Sequence, residues 1–512
     1  MNARNVLLVE INEITWTVID RLCDARGPRF LPNLTKLCRD GAWGAPSALE
    51  SPPYLDPWVT WVTAHTGVPR EIHGATVLEQ EVSSSSAKRT WEYAAEAGLS
   101  VGVYGSIGAY PPPPVEGFVI PGPFAPGSET HPAHLAPIQE LNRRYTQVHT
   151  KARAPLGSVD TARLGFELAR HGLRPATVAA IVRQLAEECV RPTSRWRRPS
   201  LQPLINADLF ESLYRRVRPR FATWHTNHAA HYMHHYWRAW DDRGFLAAAS
   251  PAECARYRAA VPHGYRLCDW LLGRFLRMID ANTVLVVASS MGQQPYVSER
   301  HRDGRVVVRI RDIDRLLAIV GRDGVVEVVP TMVPQWNLRV SSVDARAALR
   351  DRLKRAERIV DGERKPAFGV VETGATLTLT PRGLSSARAR VRYRFPGCPG
   401  AREDGYPLAE LFAVDTPTPK QGMHHPQGVL LAYGPGIRPG VKIGAATNLD
   451  LAPTLLTLLG LPVPEVMRAH GGRVLDELWR AAPSVSARPP RPPAPAARAA
   501  PTSTSYSGAA GS

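Results

Sequence analysis

Residues 5–13 read NVLLVEINE, an apolar run that ends in two polar side chains, Asn12 and Glu13. A short apolar run of this kind is typical of a strand that helices cover on both faces of a parallel sheet. A helical pattern through Val18 and Leu22 follows directly. The stretch therefore predicts a β-then-α opening with polar residues at the carboxyl end of the strand.

The same pattern recurs further along the chain. Apolar runs near residues 100–104, 220–225, 283–288 and 428–433 each lie next to a helical pattern. Strands that alternate with helices predict a parallel sheet, and ligands of such sheets bind at the carboxyl ends of the strands. We therefore predict an α/β fold with one mostly parallel sheet flanked by helices.

The remaining residues are predicted to be additions to this core. The chain divides into a core (residues 1–150, 219–300 and 406–482), an insertion (151–218), a subdomain (301–405) and a tail (483–512). The insertion has a helical pattern, and the subdomain mixes short Val- and Thr-rich strands with helices, as an α+β unit does. The tail is rich in Pro, Ala, Ser and Gly and contains no acidic residue, so it is predicted to be disordered.

The composition excludes several classes of protein. The 512 residues are 44% hydrophobic and 21% charged, which is ordinary globular usage. No apolar run approaches the roughly 20 residues of a membrane span, and the N-terminus lacks the pattern of a signal peptide. The six cysteines are widely spaced. We therefore expect a cytoplasmic globular protein with reduced thiols.

The charge balance indicates an anionic partner. The 63 Lys and Arg residues exceed the 46 Asp and Glu residues by 17, which favours phosphorylated small molecules, acidic glycans, nucleic acid or anionic lipid. The Arg-rich segment SRWRRPS at residues 194–200 has no nucleic-acid-binding module around it. A small anionic molecule or a glycan is therefore the expected ligand.

Four separated segments carry motifs of a known family. They are LPNLTKLCRDGAWG (31–44), WVTWVTAHTGVPREIHG (58–74), YPPPPVEGFVIPGPFAP (110–126), and GMHHPQGVLLAYGPGIRPG followed by NLDLAPTLLTLLGLPVP (422–440 and 448–464). Together they resemble the alkaline phosphatase superfamily, in particular its type I phosphodiesterase and nucleotide pyrophosphatase branch. The resemblance implies an alkaline phosphatase-like fold with metal ions at the carboxyl ends of the strands.

The residues at one of the two metal positions differ from that family. Its members hold the metal ion beside the nucleophile with an Asp after the first strand and with the Asp and His of an SDHG turn. This sequence has Asn12, followed by Glu13, at the first position, and Ser290 and Met291 in the corresponding SSMG turn. Amides, hydroxyls and thioethers are poor ligands for zinc. The resemblance therefore implies that this metal site is lost or rebuilt.

The other metal position retains more ligands. The family uses an Asp, a His four residues later and a His in the C-terminal segment, which correspond here to Asn227, His231 and His424. In the run HTNHAAHYMHHYW, a helix would place His228 and His235 on the same face as His231. His228 is therefore a candidate third ligand. We expect at most one zinc ion per chain, because imidazole suits zinc and the anionic ligands of the second site are missing.

The nucleophile position is also altered. The family has a Ser or Thr there, whereas the corresponding segment LDPWVTW places Pro57 at that position or, with a shift of one residue, Asp56. Asp56 is a candidate nucleophile, base or ligand, and a turn residue that accepts backbone N–H bonds is the alternative. His65 and His73 are expected to brace nearby helix ends.

Two functions follow from this sequence. The first is a divergent phosphoesterase of the phosphodiesterase type, a hydrolase or transferase acting on a phosphate ester, or secondarily a sulfate ester, with a reduced metal site. Its candidate catalytic residues are Asp56, Asn12, Glu13 and Ser290, and its candidate metal ligands are His231, His424, His228 and Asn227. The alternative is a catalytically silent member of the superfamily that binds a phosphorylated or acidic glycan ligand.

Overall fold

The computed structural model describes residues 3–76, 87–150, 158–299, 305–330, 334–384 and 390–479. The predicted tail at 483–512 lies outside the described residues. The strands, numbered along the chain, are β1 Asn5–Ile11, β2 Ala42–Gly44, β3 Val101–Tyr104, β4 Gly117–Ile120, β5 Phe221–Thr226, β6 Thr283–Ser289, β7 Gly292–Pro295, β8 Arg305–Ile310, β9 Val325–Pro330, β10 Trp336–Val340, β11 Glu357–Val360, β12 Glu363–Pro366, β13 Phe368–Thr373, β14 Thr376–Pro381, β15 Val391–Arg394, β16 Tyr406–Pro407, β17 Phe412–Lys420, β18 Gly422–His425, β19 Val429–Tyr433 and β20 Val441–Lys442.

Helices separate most of these strands. They are α1 Trp16–Arg26, α2 Pro32–Asp40, α3 Pro57–Thr66, α4 Arg70–His73, α5 Thr90–Glu96, α6 Ala136–Thr150, α7 Ser158–Arg170, α8 Pro175–Val190, α9 Leu201–Val217, α10 His228–Trp240, α11 Pro251–Tyr257, α12 Ala260–Leu276, α13 Ile313–Val320, α14 Val343–Arg355, α15 Leu408–Leu411, α16 Leu451–Leu458 and α17 Glu465–Ala469. Across the described ranges, no helix combines the length and the apolar character needed to cross a membrane.

Eight strands form the central sheet, in the order β20-β2-β19-β6-β1-β5-β3-β4. The neighbouring pairs from β6 to β4 are parallel. All five strands predicted from the apolar runs lie in this sheet, which confirms the α/β class with a mostly parallel sheet flanked by helices. Strand β19 runs antiparallel to both β6 and β2, a detail that an apolar run cannot encode because composition carries no direction.

Helices cover both faces of the sheet. Leu7 and Val9 of β1 pack into one apolar layer, which helices α1, α2, α9, α10 and α12 complete. Val6 and Leu8 pack into the other layer, which includes residues of α3, α5 and α16. The two layers alternate along β1 because successive side chains of a strand point to opposite faces. Burial on both faces explains the continuous apolar run in the sequence.

The two predicted additions have their own structure. Helices α7, α8 and α9 and a 3-10 helix at Pro192–Ser200 occupy most of the predicted insertion. A separate apolar core runs from Val306 to Phe412, beside two four-stranded antiparallel sheets, β13-β14-β10-β9 and β12-β11-β15-β16. The ladder of β7 with β18 pairs Gln293 with His424 and brings this part of the chain next to the end of β6.

Candidate metal centre

Polar residues collect where the central strands end. Asn12 and Glu13 follow β1 directly, Asn227 follows β5, and Ser290 follows β6. His424 lies on β18, opposite Gln293 of β7. The carboxyl ends of parallel strands meet at one edge of a sheet, so residues that lie far apart in the sequence become neighbours here.

Three of the side chains at this edge form a group that we call the metal triad: Glu13, His234 and His424. One ligand atom of each lies within 4.8 Å of the others. Oε2 of Glu13 is 3.0 Å from Nε2 of His234, and Oε1 is 3.7 Å from Nε2 of His424. The Glu13 side chain is only 3% exposed, whereas those of His234 and His424 are 19% and 17% exposed. The triad is therefore closed behind the carboxylate and open to solvent beside the imidazoles.

Backbone carbonyls fix the orientation of both imidazoles. Nδ1 of His234 lies 3.0 Å from the carbonyl oxygen of Gly422, and Nδ1 of His424 lies 2.6 Å from that of Leu55. A carbonyl oxygen only accepts, so each Nδ1 carries the proton and donates it. Each Nε2 is then left facing Glu13. Metal-binding histidines show this same arrangement, in which the second ring nitrogen donates to a carbonyl or carboxylate.

The contact of Glu13 with His234 requires a cation between the two groups. With its proton on Nδ1, a neutral His234 points the Nε2 lone pair at a carboxylate oxygen 3.0 Å away, which is repulsive unless a proton or a metal ion lies between them. Two histidines and one glutamate are a known ligand set of catalytic zinc, with the fourth position left for water or substrate. The residues present therefore fit one zinc ion.

The charges at the triad reinforce one another. Burial would raise the pKa of Glu13, but the neighbouring His234 and His424 outweigh burial and lower this pKa to about 2. Burial lowers the pKa of His424, yet Glu13 and Asp56 outweigh that effect and raise it above the ordinary value. Burial, followed by the charge of Lys420, lowers the pKa of His234. The triad thus combines an ionised carboxylate with an imidazole that gives up its Nε2 proton easily.

Two amides bond the carboxylate of Glu13, one to each of its oxygens. Nδ2 of Asn12 donates to Oε1 of Glu13 and to Oδ1 of Asn227, and Oδ1 of Asn12 accepts from Nε1 of Trp61 at 2.8 Å. Nε2 of Gln293 donates to the other oxygen of Glu13. Asn12 therefore bonds both Asn227 and Glu13, and Asn12 and Gln293 orient the carboxylate of Glu13.

Asp56 lies beside the triad at the amino end of α3. Its Oδ1 is 3.1 Å from Nδ1 of His424, and its side chain is 24% exposed. Further into the protein, the hydroxyl of Ser290 bonds to that of Thr60 at 2.8 Å, and the carbonyl of Ser290 accepts from Asn448. Ser290 is 2% exposed, so its hydroxyl is used inside the protein, whereas the carboxylate of Asp56 meets solvent.

Two helices begin at this site without a hydrogen bond from the side chain of the N-cap residue. Asp56 and Asn227 are the N-cap residues of α3 and α10, and neither makes a side-chain cap bond. Each type ordinarily caps a helix, a bond worth about 1 kcal/mol, but here Asp56 faces His424 and Asn227 faces Asn12. Glu13 adds a backbone φ of 61°, which is unfavourable for a non-glycine residue and is typical of functional sites.

The position of His234 differs from the sequence-based expectation, which favoured His231 and His228. The ring of His231 packs against His235 at 4.6 Å. His228 is buried, with its ring nitrogens near the hydroxyl of Thr226 and the carbonyl of Gly264. In the described structure these two rings therefore serve other contacts, and His234 takes the place beside Glu13.

The phase of α10 explains this difference. Residues 230, 234 and 238 lie four apart, on the helix face that meets β7 and β18. The carbonyl of Ala230 accepts from the side chain of Gln293, and Nδ1 of His234 donates to the carbonyl of Gly422. The backbone N–H of Arg238 donates to the side chain of Gln421. Histidine spacing alone cannot single out His234, because His231 and His235 lie three residues before it and one residue after it in the same run. The missing signal was the pairing of β7 with β18, which brings the partners of this face together.

Two further residues near the site, His73 and Met291, have structural contacts. Nδ1 of His73 accepts from the backbone N–H of Ala75, and its Nε2 lies 3.0 Å from the hydroxyl of Thr63. His73 thereby joins the turn after α4 to α3, as expected for a bracing residue. Met291, from the turn that replaces SDHG, is fully buried in a small apolar cluster with Ala48 and Leu55.

Comparison with solved structures finds similar chains among the ectonucleotide pyrophosphatase/phosphodiesterases. The murine ectonucleotide pyrophosphatase/phosphodiesterase 5 shares 14% identity over 92% of this chain and 98% of its own, with a TM-score of 0.39. An inactive variant of that murine protein in complex with AMP gives the same identity and TM-score, over 92% and 97%. The human protein shares 12% identity over 93% and 100%, again with a TM-score of 0.39. No protein-family model matches the chain, and a search of curated proteins finds no match. At these values the likeness carries no argument about the site.

Proposed function

We propose that this protein is a phosphoric ester hydrolase or transferase of the phosphodiesterase type that uses a single zinc ion held by Glu13, His234 and His424. One observation carries the proposal: two imidazoles with carbonyl-anchored Nδ1 protons direct Nε2 at one buried carboxylate. When bound, the zinc ion would supply Lewis-acid polarisation of the phosphoryl oxygen, or of a sulfuryl oxygen as the second choice.

The residues around the triad supply the remaining chemistry. The carboxylate of Asp56 lies 3.1 Å from His424 and meets solvent, so it acts as the nucleophile or as the base that activates water. It lies at the amino end of α3, where the helix dipole favours an anionic group. Lys420 adds positive charge, and burial followed by Arg305 lowers its pKa. Asn12 and Gln293 hold Glu13 in place through their amide N–H groups.

The test is metal content and turnover measured on the same preparations. Purified protein is stripped with a chelator, reconstituted with zinc, and assayed for bound zinc and for hydrolysis of bis-p-nitrophenyl phosphate. We expect one zinc ion per chain and slower hydrolysis than enzymes with two metal ions show, because Asn12, Ser290 and Met291 provide no second anionic site.

Four variants separate the ligands from their neighbours. His234→Ala and His424→Ala should abolish both zinc retention and turnover. His235→Ala, in the same histidine-rich helix, is the matched control and should retain both. His231→Ala tests the sequence-based ligand set, and loss of zinc in that variant would contradict the metal triad. Two tightly bound zinc ions with strong phosphodiesterase activity would overturn the single-ion site.

A second variant pair tests the role of Asp56. Asp56→Asn keeps the shape and removes the charge, so turnover should fall while zinc remains bound. Ser290→Ala removes a hydroxyl that is already bonded to Thr60 inside the protein, so turnover should persist. If Ser290→Ala lost turnover and Asp56→Asn retained it, Ser290 rather than Asp56 would be the nucleophile.

A catalytically silent binding protein is the alternative, and one observation favours it. Asn12 and Asn227, at positions where the related family has carboxylates, bond to each other instead of leaving oxygens for a second cation. Such a protein would bind a phosphorylated or acidic glycan at the same edge of the sheet. Absence of zinc and absence of turnover on every ester, together with retained binding of a phosphorylated glycan, would support this alternative over the enzyme.

A further inference from the structure

A second cavity, separate from the metal triad, lies in the helical insertion. It has a volume of about 450 Å³ and lies between α8, the 3-10 helix at Pro192–Ser200 and α12. Pockets for small ligands usually measure about 300–1,000 Å³, so this cavity is large enough for one. Its lining includes Arg26, Phe30, Arg183, Trp196, His263 and Arg266.

Three arginines of this cavity form no ion pair with a carboxylate in the part of the chain that the structure describes. They are Arg26, Arg183 and Arg266. The neighbouring arginines behave differently, since Arg197 pairs with Glu187 at 2.7 Å and Arg198 pairs with Glu188. The cavity therefore keeps a net positive charge even though acidic side chains lie close to it.

Two of these guanidinium groups meet at one aromatic ring. Arg26 lies 4.9 Å and Arg266 lies 5.7 Å from the centre of the Phe30 ring. Each contact is within the range of cation–π attraction, so two like charges lie around one ring at the edge of the cavity. An anion in the cavity would offset this concentration of positive charge, and a phosphate group suits the planar donors of arginine.

The floor of the cavity is polar and rigid. The hydroxyl of Ser200 bonds to Nε2 of His263 at 2.8 Å and to the hydroxyl of Tyr232 at 2.7 Å. Burial, followed by Arg197 and Arg266, lowers the pKa of His263 to about 4, as expected in positively charged surroundings. Tyr232 belongs to α10, and it lies two residues before His234, so the two side chains leave the helix on opposite sides. The cavity and the metal triad are thus on opposite faces of α10.

We propose that this cavity is a binding site for the phosphate group of a small organic molecule, held by Arg26, Arg183 and Arg266. The site is independent of the metal triad and of the activity proposed for it. Trp196, whose ring lies edge-on to that of His263 at 5.4 Å, offers an apolar wall for a part of the ligand beyond the phosphate. The segment SRWRRPS, which stands out in the sequence, thereby becomes one wall of a small-molecule pocket.

Calorimetric titration of metal-stripped protein tests the site. Pyrophosphate is the probe for phosphate alone, ADP for phosphate joined to a ring, and adenosine for the ring alone. We expect pyrophosphate and ADP to bind and adenosine not to bind. Arg183→Gln and Arg266→Gln should each weaken the binding of pyrophosphate and ADP at least about tenfold, because a hydrogen bond to a charged group is lost. Tighter binding of ADP than of pyrophosphate would indicate a ligand with a ring against Trp196.

Three controls make the result decisive. Arg277→Gln removes the same charge just after α12, outside the cavity lining, and should leave both affinities unchanged. Glu13→Gln alters the metal triad and should also leave them unchanged. Thermal unfolding of each variant confirms that it folds. Equal affinities in folded Arg183→Gln and Arg266→Gln, loss of binding in Glu13→Gln, or no binding of either phosphate probe at millimolar concentration would overturn the proposal.

Discussion

Within the described residues, one glutamate on β1 and one just after it each lie beside two histidines. The metal triad uses Glu13, after the end of the strand, whereas a second group uses Glu10 within it. We call Glu10, His65 and His225 the buried trio. Oε2 of Glu10 is 3.1 Å from Nδ1 of His225, and Oε1 is 3.6 Å from Nε2 of His65. The two glutamates are therefore only three residues apart, yet each meets a different pair of histidines.

The surroundings of the two groups differ. All three side chains of the buried trio are at most 2% exposed, because Glu10 points into the apolar layer that contains Val6 and Leu8. Neither ring nitrogen of His65 has a hydrogen-bond partner among the described residues, and its ring lies against Trp61 and Trp91.

A ligand set therefore depends on where the second ring nitrogen is anchored. In the metal triad, carbonyls hold both Nδ1 atoms and leave both Nε2 atoms directed at one carboxylate. In the buried trio, His225 presents Nδ1 to Glu10 and His65 presents Nε2, without a carbonyl to fix either ring. Composition alone would treat the two groups alike, whereas their hydrogen bonds separate a candidate metal site from a buried polar cluster.

The largest expected effect compares the two glutamates. Glu13→Gln should reduce zinc affinity by more than about 100-fold, the upper range for losing a residue that only supports a ligand. Glu10→Gln should leave zinc affinity unchanged, because Glu10 does not reach the triad. Competition with a chromophoric chelator measures both. An equal loss of zinc in a folded Glu10→Gln variant would mean that the buried trio belongs to the metal site.

The next effect concerns His65 and pH. Burial, despite the nearby Glu10, lowers the pKa of His65 from 6.5 to about 4. Between pH 6.5 and about 4, His65 is protonated in the unfolded chain but neutral in the folded protein. The free energy of unfolding therefore falls as the pH falls through this range. At about 1.4 kcal/mol per pH unit, His65 contributes a loss of about 2 kcal/mol by pH ~5.

The variant His65→Phe isolates this contribution. It keeps a ring between Trp61 and Trp91 and removes the titrating group, so its stability should fall less steeply with decreasing pH. Urea unfolding of both proteins across the window gives the two slopes. Other buried histidines, such as His228, titrate in both proteins and cancel in the comparison. Parallel slopes would show that His65 is protonated in the folded state.

A smaller effect tests the link between the two groups. Trp61 stacks on His65 of the buried trio and donates through Nε1 to Asn12, which in turn bonds Glu13. Trp61→Phe leaves the buried Oδ1 of Asn12 without its donor, which should lower stability by about 1 kcal/mol and weaken zinc binding by about fivefold. Unchanged zinc affinity would show that Gln293 alone orients the carboxylate.

The smallest effect on zinc binding is expected at Asp56. Asp56→Asn removes one charged neighbour of Nδ1 in His424, but the carbonyl of Leu55 still accepts the Nδ1 proton at 2.6 Å. Zinc affinity should therefore change by less than about threefold, at the lower end of effects for residues behind a ligand. A loss as large as that of Glu13→Gln would make Asp56 a direct ligand.

The sequence predicted the sheet, and it named several residues that lie in the candidate site. Asn12, Glu13 and Asp56 could be assigned to the edge of the sheet because each follows or precedes a strongly patterned element. His424 could be assigned from its motif. His234 could not, since its role depends on the carbonyl of Gly422, which lies 188 residues away along the chain and reaches α10 only through the pairing of β18 with β7. Local periodicity contains no information about such a partner.

The cavity in the insertion was also beyond the reach of the sequence. The pattern of residues 151–218 predicted helices, but the arginines that line the cavity come from α1, α8 and α12. Their convergence depends on how these helices pack, and surface arginines carry no periodic signal that would report it. The net charge of +17 indicated an anionic partner without giving its location.

The pairing of β7 with β18 holds together the two points at which the α+β part of the chain joins the core. The chain leaves the core at Pro295 and returns at Gly422, and these two residues are paired; Arg305 and Lys420 form a second pair just beyond them. The α+β part of the chain is therefore joined to the core by two strands that lie side by side. Because the entropy cost of closing a loop grows only slowly with its length, the inserted α+β residues can be lengthened, shortened or exchanged while Gln293 and His424 stay paired.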